Sequence, residues 1–324
     1  MRGLEIRSGQ VAYRGDLPPP ASLVAGATDE CRVRVTRAGV CATDLALARG
    51  YMGFAGVPGH EFVGVALDGP LAGSRVVGEI NAACGRCEAC RGGLDRHCPE
   101  RTVLGILGRP GAFAEELTLP ARNLHAVPEG VSDDEAVFAE PLAAAFEIPT
   151  QVDLAGAERA AVVGDGRLGL LCAQVVALGG VDVDLFGRHP ERGEALPAAI
   201  QHRGALPGTP PAPGGRYDLV VEATGDPRVL GQVLGFVRPR GILVLKTTTE
   251  APASLDLAPL VVDEITLLGS RCGPFAPALD AMAAGSVVLT PWIHARFPLE
   301  EGPRAFARAA EPGTLKVLLD IQAS

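Results

Sequence analysis

The sequence predicts two domains, an irregular β-rich domain and an α/β domain built on a doubly wound parallel sheet. Up to residue 150 the chain is rich in Gly, Pro and short β-branched runs such as RVRVTRAGV (residues 32–40), which indicate short strands joined by turns. Beyond residue 151, apolar strand-like segments alternate with helical segments, a pattern typical of a parallel sheet covered by helices.

The α/β domain is predicted to begin with a strand, a glycine turn and an amphipathic helix in residues 160–180, AAVVGDGRLGLLCAQVVALGG. Three more strands are expected at VDVDLF (181–186), YDLVVEATG (217–225) and GILVLKTTT (241–249). Between Arg188 and Arg216 no further strand is recognisable, because ALPGTPPAPGGR is rich in Pro and Gly and predicts a loop. We therefore expect a shortened α/β domain at this point.

The end of the chain resembles its beginning in composition. After Gly285 the turn-rich, mixed composition of the first domain returns, so the tail is predicted to fold back onto that domain. We expect a first domain of residues 1–150 completed by 283–324, and a second domain of residues 151–282.

Composition excludes several classes of protein. The net charge of −9, from 29 basic and 38 acidic residues, argues against nucleic-acid binding, which requires a basic face. The chain has no run of about 18 apolar residues, so no membrane-spanning helix is predicted. The first residues, MRGLEIRSGQVAYRGD, lack the apolar core of a signal peptide. We therefore expect a cytoplasmic protein that does not bind membranes.

Four of the eight cysteines follow one another at C-x2-C-x2-C-x7-C spacing: Cys84, Cys87, Cys90 and Cys98. Four thiolates on one short segment can complete a tetrahedral shell around zinc and leave no open position for chemistry. Disulfides or an iron–sulfur cluster are the alternatives, and a nucleic-acid-binding zinc ribbon is disfavoured by the acidic charge. The spacing predicts a structural zinc site.

A second set of ligand-type residues is scattered along the chain: Cys41 in GVCATD, His60 and Glu61 in PGHEFVG, and Glu140 in FAEPLAAA. A catalytic zinc takes about three protein ligands and keeps one position open. A lone Cys or His is more often a packed core residue than a ligand, so each residue alone is weak evidence. Together they predict an open metal site, in which Asp44 could accept the second ring N–H of His60.

Three glycines form a G-x-G-x-x-G motif between a predicted strand and a predicted helix: Gly164, Gly166 and Gly169. Such glycines permit a tight turn and a close approach of the backbone, and the helix N-terminus offers amide donors to a pyrophosphate. A glycine-rich turn without a ligand is the alternative. The context of strand, turn and helix favours a dinucleotide site.

Taken together, these motifs resemble the zinc-dependent medium-chain dehydrogenase/reductase family, which includes alcohol, sorbitol and threonine dehydrogenases. The resemblance covers essentially the whole chain through GVCATD, PGHEFVG, the four-cysteine segment, GAFAEE, AEPLAAA, VVGDGRLGLL, GSRCGPF and TLKVLLD, in the order and at about the spacing of that family. It implies a GroES-like catalytic domain and a Rossmann domain. It further implies two zinc ions per chain, a nicotinamide cofactor and an alcohol or carbonyl substrate. We also expect a homodimer or homotetramer.

For the catalytic zinc, the resemblance implies Cys41, His60 and Glu140 as ligands, with Glu61 as a carboxylate that approaches the metal during ligand exchange. Glu140 stands where some members have cysteine. The sequence Glu-Pro-Leu is similar to the polyol, glucose and threonine branch, in relatives of which this carboxylate contacts zinc through water.

Around the cofactor, the resemblance places the backbone amides of Arg167 and Leu168 at the phosphates. The remaining contacts that it implies are Thr224 and Gly225 beside the adenosine, the stretch from Lys246 to Thr248 beside the nicotinamide, the backbone of Ser270 and Cys272 at the carboxamide, and Lys316 at the pyrophosphate.

The end of the second predicted strand bears on the choice between NAD and NADP. An NAD site normally carries Asp or Glu there to bind the ribose hydroxyls. This chain has Gly187, Arg188 and His189 after VDVDLF, and Asp184 lies three residues too early, within the strand. Glycine removes the repulsive carboxylate and Arg188 can pair with a 2′-phosphate, so NADP is favoured over NAD. The alternative is that Arg188 is a solvated loop residue.

The expected reaction is hydride transfer between the nicotinamide and a carbinol or carbonyl carbon, with zinc as Lewis acid. By resemblance, Thr43 hydrogen-bonds the substrate oxygen and relays its proton. Ala46 stands where many alcohol dehydrogenases have a relay histidine, which leaves His125 and Lys246 as candidates for the outer step. Tyr51, Phe54 and Phe113 are candidate pocket walls, and ordinary packing is the alternative for all three.

Two other functions are weighed against this one. A reductase of activated double bonds, from the same superfamily, usually lacks the zinc ligands. A non-catalytic NADP-binding protein has no need of an open metal site, and the set of Cys41, His60 and Glu140 argues against it.

Overall fold

The computed structural model describes residues 1–20, 29–248, 252 and 254–322. The chain divides into two compact units. The first unit comprises Met1–Glu140, Leu279–Ala284 and Leu289–Ser324, and the second comprises Pro141–Ala278 and Gly285–Val288. The tail of the chain therefore joins the first unit.

The strands are short in the first half of the chain and regularly spaced in the second. In chain order they are β1 (Gly3–Arg7), β2 (Gln10–Arg14), β3 (Glu30–Val40), β4 (Glu61–Ala66), β5 (Arg75–Gly78), β6 (Asn81–Ala82), β7 (Thr102–Leu104), β8 (Gly108–Arg109), β9 (Glu116–Pro120), β10 (Leu124–Ala126), β11 (Arg159–Val163), β12 (Asp182–Phe186), β13 (Ile200–His202), β14 (Tyr217–Glu222), β15 (Val237–Leu245), β16 (Thr266–Gly269), β17 (Ile293–Pro298) and β18 (Lys316–Asp320).

The described α-helices are α1 (Ala42–Ala48), α2 (Glu88–Arg91), α3 (Asp133–Ala136), α4 (Ala139–Gln151), α5 (Arg167–Leu178), α6 (Leu230–Leu234), α7 (Ala258–Val262), α8 (Phe275–Ala283) and α9 (Gly302–Ala310). In the described part of the chain, no helix has the length and hydrophobicity required to span a bilayer.

A seven-stranded sheet organises the first unit, in the order β10-β5-β4-β3-β18-β17, with β9 also paired to β3. The strand β3 lies at its centre, and the residues of β3 alternate between buried and half-buried or exposed over its first half. Such alternation fits a sheet with one face on a core. Because β3 pairs with β4, β9 and β18, it holds together segments from the beginning, middle and end of the chain.

The second unit is built on a six-stranded parallel sheet in the order β13-β12-β11-β14-β15-β16. This is the order of a Rossmann sheet, with α5 connecting β11 to β12. The strands β11, β12 and β14 are almost continuously buried, as expected when helices cover both faces. The predicted fold class, a β-rich domain and a doubly wound parallel sheet, is confirmed.

One expectation about this sheet is wrong. No strand was expected between Arg188 and Arg216, yet residues Ile200–His202 form β13 and pair in parallel with β12. With only three residues, β13 is too short to show a hydrophobic period. The Pro/Gly-rich residues that follow, 205–216, have no regular structure apart from a 3₁₀ turn at Pro213–Gly215, as expected. The last residue of the fourth predicted strand, Thr249, lies outside the described residues.

A buried ion pair ties β8 to β3. The guanidinium of Arg109 donates two hydrogen bonds of 2.8 Å to the Glu30 carboxylate, and the two side chains are 2% and 5% exposed. Arg109 also donates to the carbonyl oxygen of Thr118 on β9. Removing one member of such a pair leaves a buried, unpaired charge.

We therefore expect Arg109→Met to lower the free energy of unfolding by about 3–5 kcal/mol. Arg32→Met is the matched control, because Arg32 and Asp68 form a solvent-exposed pair whose loss costs at most about 1 kcal/mol. Urea unfolding of both variants measures the difference. Equal unfolding midpoints would show that burial adds nothing to the Arg109 pair.

Candidate active site

The first candidate metal group lies where β3 ends and β4 begins. Cys41 follows β3 directly, and His60 directly precedes Glu61, the first residue of β4. The antiparallel register sets Gly39 opposite Glu61, so the two strand ends meet. As a result, one ligand atom from each of Cys41, His60 and Glu61 lies within 4.8 Å of the other two.

Asp44 supports this group differently from the sequence-based expectation. Its carboxylate accepts hydrogen bonds from the backbone N–H groups of Cys41, at 2.8 Å, and Gly59, at 3.1 Å. The Nδ1 atom of His60 lies 3.4 Å from Asp44 without forming a hydrogen bond, and it is a buried atom with no hydrogen-bond partner among the described residues. Asp44 therefore fixes the backbone on either side of the site.

The protonation of His60 opposes metal binding in the metal-free chain. Burial disfavours a charge on this ring, but the neighbouring Asp44 and Cys41 raise the pKa of His60 well above its usual value of 6.5. A zinc ligand must be the neutral imidazole. Binding of zinc would therefore displace a proton.

Glu61 is paired with Lys316 inside the first unit. The Lys316 ammonium contacts the Glu61 carboxylate, and the side chains are 2% and 1% exposed. The pair needs Gly39, because a Cβ at this position would lie 2.7 Å from Glu61 Oε2 and 3.1 Å from Lys316 Cδ. The ammonium also lies 5.2 Å from the centre of the Phe138 ring. We expected Lys316 at the cofactor's pyrophosphate; the contact observed is with Glu61, and the pyrophosphate contact stays a prediction.

Glu140 is half-buried at the start of α4 and is not in the group formed by Cys41, His60 and Glu61 among the described residues. Its role as a zinc ligand stays a prediction. Thr43 lies in the first turn of α1, with its hydroxyl oxygen 3.9 Å from the Cys41 sulfur. Ala46 follows one turn later on α1 and is half-buried.

The three candidate wall residues differ in burial. Phe113 is fully buried and packs edge-on against Phe306, with ring centroids 5.8 Å apart. A Cβ at Gly59 would lie 2.6 Å from this ring, so Phe113 is core packing beneath the His60 segment. Tyr51 and Phe54 are half-buried, and their role as pocket walls stays a prediction.

The four-cysteine group is assembled locally. The sulfurs of Cys87 and Cys90 are 3.4 Å apart, those of Cys87 and Cys98 3.7 Å, and those of Cys84 and Cys90 4.0 Å. Four thiolates around one zinc ion would be spaced by about 3.8 Å. Disulfides are excluded, because all eight cysteines are described and all are free. A backbone hydrogen bond from Arg86 is the main cause that lowers the pKa of Cys84 to about 7, which favours the thiolate. The residues fit a closed tetrahedral site.

The glycine motif in the second unit forms a cradle at the end of β11. Gly164 has φ +112°, and a Cβ there would lie 2.5 Å from the Ala223 oxygen. A Cβ at Gly169 would lie 1.8 Å from the Gly164 oxygen, so the first turn of α5 packs directly on the turn before it. At Gly166, by contrast, a Cβ would have no heavy atom of the described chain within 4 Å. The turn therefore fits a pyrophosphate at the N-terminus of α5, beside Arg167 and Leu168.

The end of β12 has no acidic side chain of the kind that an NAD site carries there. Asp184 lies inside β12 and accepts hydrogen bonds from Arg159, Arg203 and Tyr217, so it is a structural residue, as its position in the strand indicates. Arg188 is exposed and His189 half-buried directly after Gly187.

A buried carboxylate holds the residues expected beside the adenosine. Glu222, at the end of β14, accepts hydrogen bonds from the backbone and hydroxyl of Thr224 and from the hydroxyl of Thr247. Thr247 in turn accepts from the backbone N–H of Gly225. These contacts fix the loops after β14 and β15, while Thr248 is exposed.

The buried side chain of Lys246 holds three neighbouring residues through hydrogen bonds. Its ammonium donates to the carbonyl oxygens of Ala144, at 2.6 Å, and Arg271, at 3.0 Å, and to the hydroxyl of Ser270, at 3.1 Å. An ammonium has three donors, and these contacts use all of them. Lys246 thus fixes the start of the loop that contains Ser270 and Cys272, and it is a poor candidate for the outer proton relay.

Sequence reasoning missed Glu222 and the clamping role of Lys246. It also missed Asp165, the residue between the first two glycines of the motif, which is 6% exposed and hydrogen-bonded to the loop after β12. A carboxylate in the middle of a glycine turn was the available signal, since a buried Asp needs partners.

Comparisons with known proteins agree with this architecture. Residues 27–129 match the alcohol dehydrogenase GroES-like domain. An L-threonine 3-dehydrogenase of Streptomyces avermitilis is 30% identical, over 89% of this chain and 91% of that protein. The structure of an alcohol dehydrogenase from Thermus sp. ATN1 is 29% identical with a TM-score of 0.88, over 99% of this chain and 100% of that one. An alcohol dehydrogenase of E. coli CFT073 solved with NADH is 25% identical with a TM-score of 0.87, over 99% of each chain.

A GroES-like domain joined to a Rossmann domain with an open pyrophosphate cradle defines a nicotinamide-dependent oxidoreductase. This chain belongs to the zinc-type medium-chain dehydrogenase/reductase family. It transfers a hydride between a nicotinamide cofactor and a small-molecule alcohol or carbonyl substrate.

Proposed function

We propose that this chain is a zinc-dependent alcohol or polyol dehydrogenase with two zinc ions. The observation that supports this most is the presence of two separate ligand groups of different kinds. The four cysteines form a closed thiolate shell, whereas Cys41, His60 and Glu61 provide three ligands and leave a position for substrate. Glu140 is proposed to take the place of Glu61 as the third ligand when metal binds, with Glu61 approaching the metal only during ligand exchange, so that one position stays open. A reductase of double bonds would not require such an open set.

When bound, zinc would polarise the substrate oxygen as a Lewis acid, and the nicotinamide would supply the hydride acceptor. The chain's own residues handle the proton. The hydroxyl of Thr43 lies 3.9 Å from the Cys41 sulfur. This distance supports a role in which Thr43 hydrogen-bonds a substrate oxygen at the metal group, accepts its proton and passes its own hydroxyl proton on.

We propose that the outer proton path does not use His125. This residue lies on β10, which is separated from β3 by β5 and β4, and its Nε2 is 3.1 Å from Glu79. Since Ala46 has no titratable group, we propose that the proton leaves Thr43 through the ribose hydroxyls of the cofactor and water.

We propose NADP as the preferred cofactor. Gly187 offers no carboxylate to repel a 2′-phosphate, and Arg188 is exposed one residue further on. The similar E. coli enzyme was solved with NADH and gives no support for NADP. The proposed preference therefore rests on Gly187 and Arg188 of this chain.

The domain roles follow from the same reasoning. We infer that residues 1–150 with 283–324 form the catalytic domain and that residues 151–282 bind the dinucleotide. Each half carries the groups that its role requires, the metal ligands in the first and the glycine cradle in the second.

A homodimer or homotetramer is proposed from the open edge of the parallel sheet. Among the described strands, β16 pairs only with β15. The helix α7, which precedes β16 in the chain, exposes Val261 and Val262, which are 76% and 78% accessible, and Leu267 of β16 is also exposed. An edge strand with apolar neighbours is a ready surface for pairing with a second copy.

We expect two zinc ions per chain, and a different substitution should remove each of them. Cys87→Ser should lose one zinc and lower the stability or the soluble yield, because structural zinc contributes to folding. Cys41→Ser should lose the other zinc and the activity while keeping the fold. Elemental analysis with urea unfolding measures both. Only one zinc in the unmodified protein would contradict one of the two sites.

Arg188→Ala is expected to weaken NADP binding about ten- to hundredfold and to leave NAD binding nearly unchanged, since one charge-assisted phosphate contact is lost. Arg159→Ala is the matched control, because Arg159 begins β11 at the end of the sheet opposite the glycine cradle. Calorimetric titration gives the affinities. Tighter binding of NAD than of NADP by the unmodified protein would refute the NADP preference.

Thr43→Val should lower kcat/KM for alcohol oxidation by about 10² to 10⁴, because it keeps the shape of the side chain but removes the proton relay. Thr43→Ser should keep most of the activity. Ala46→His should change the pH profile without changing cofactor affinity. Steady-state rates across pH test all three, and a near-normal Thr43→Val enzyme would show that this hydroxyl is not the relay.

A further inference from the structure

Gly187 has no room for a side chain. A Cβ at this position would lie 2.0 Å from Cγ of Asp165 and 2.3 Å from both Cβ and Oδ2 of the same residue. The backbone of Gly187 is not in the left-handed region. Glycine is therefore required at position 187 because of the space that Asp165 takes, not because of the backbone conformation.

The Asp165 carboxylate holds the loop that follows β12 in place through hydrogen bonds. Its Oδ2 accepts a hydrogen bond of 2.7 Å from the backbone N–H of His189 and one of 3.2 Å from Nε2 of His202. The other ring nitrogen of His202 accepts from the Gly204 N–H at 3.1 Å, so the ring proton is on Nε2 and points to Asp165. Asp165 thus joins the glycine turn, the loop after β12 and the end of β13.

A buried arginine completes this cluster. Nη1 of Arg192 donates to the Asp165 carbonyl oxygen and lies 3.6 Å from carboxylate Oδ1. Burial raises the pKa of Asp165, but the hydrogen bonds from His189 and His202 and the charge of Arg192 outweigh it, so the pKa lies below its usual value. The carboxylate is therefore ionised, and its hydrogen bonds are charge-assisted.

We propose that Asp165 is the positioning residue of the adenosine-ribose loop, residues 187–189, and that it excludes a ribose-binding carboxylate from position 187. The proposal rests on the proposed function, which assigns this loop to the cofactor. With Oδ2 holding two donors and the residue 6% exposed, Asp165 acts through the loop and does not contact the ribose. The loop then presents Arg188 at the end of the strand.

It follows that residues 165 and 187 constrain each other. On the observed backbone, an acidic residue at 187, as in an NAD site, would overlap Asp165, because its Cβ would lie 2.3 Å from the Asp165 Cβ. The choice of cofactor is therefore set by a pair of positions, one in the glycine turn and one at the end of β12.

The first test is a stability cycle in the absence of cofactor. Gly187→Ala alone is expected to lower the urea midpoint strongly, whereas the same change in an Asp165→Gly background should cost little. An Asp165→Ala background should give poor rescue, since its Cβ remains. If Gly187→Ala does not fold, recovery of a folded protein in the double variant with Asp165→Gly is the supporting result. Additive effects of the two substitutions would overturn the proposal.

The second test measures the binding of NADP and NAD by titration calorimetry. Asp165→Gly should lower the ratio of NADP to NAD affinity by about tenfold or more, since Arg188 is no longer held. Combining Asp165→Gly with Gly187→Asp should shift the preference further towards NAD. If Asp165→Gly does not fold, Asp165→Asn is used: its amide oxygen can still accept from His189 and His202, but the negative charge is lost and its NH2 group faces the Arg192 guanidinium.

Asp184→Asn is the matched control. Asp184 is also buried in the second unit and accepts from arginine and tyrosine donors, but it lies inside β12, away from the loop. It should cost stability and leave the affinity ratio unchanged. A ratio in Asp165→Gly equal to that of Asp184→Asn would overturn the positioning role. The ratio in the unmodified protein separately tests the NADP preference, and the stability cycle does not depend on it.

Discussion

The candidate metal centre depends on one register, the antiparallel pairing of β3 and β4 that sets Gly39 opposite Glu61. On the other side of β3, β18 pairs so that Val317 faces Val40, which brings Lys316 to the same strand end. Only a residue without a side chain at position 39 lets Lys316 reach Glu61 across the strand. A shift of one residue would turn these side chains to the opposite faces of the sheet.

At the proposed cofactor site of the second unit, glycines are likewise required because a side chain would have no room. Gly164 and Gly169 permit close packing of a turn on a helix, and Gly187 leaves room for a neighbouring carboxylate. Three buried charges then fasten the loops at the ends of the strands, namely Asp165, Glu222 and Lys246. A buried charge is tolerated when hydrogen bonds satisfy it, and a fully satisfied network is rigid. These contacts hold rigid the loops that are proposed to face the cofactor.

Part of the site could be predicted from residues that lie close together in the sequence. The four cysteines lie within a short segment, so their spacing alone predicted the group, and all four sulfurs lie within 4.8 Å of one another. The glycine motif is equally local, since its roles depend on a turn between a strand and the next helix. The two-domain fold class followed from the change between β-rich texture and alternating strands and helices. Each of these inferences needs only residues that are close in the sequence.

The sequence by itself thus determined the fold class, the four-cysteine group, the glycine cradle and the candidate ligands Cys41 and His60. Tertiary structure decided that β13 exists, that Glu61 pairs with Lys316, and that Asp44 holds backbone amides. It also decided that Asp165 occupies the space beside Gly187. These facts depend on contacts between residues far apart in the chain, and hydrophobic period and motif spacing carry no information about which distant side chains meet.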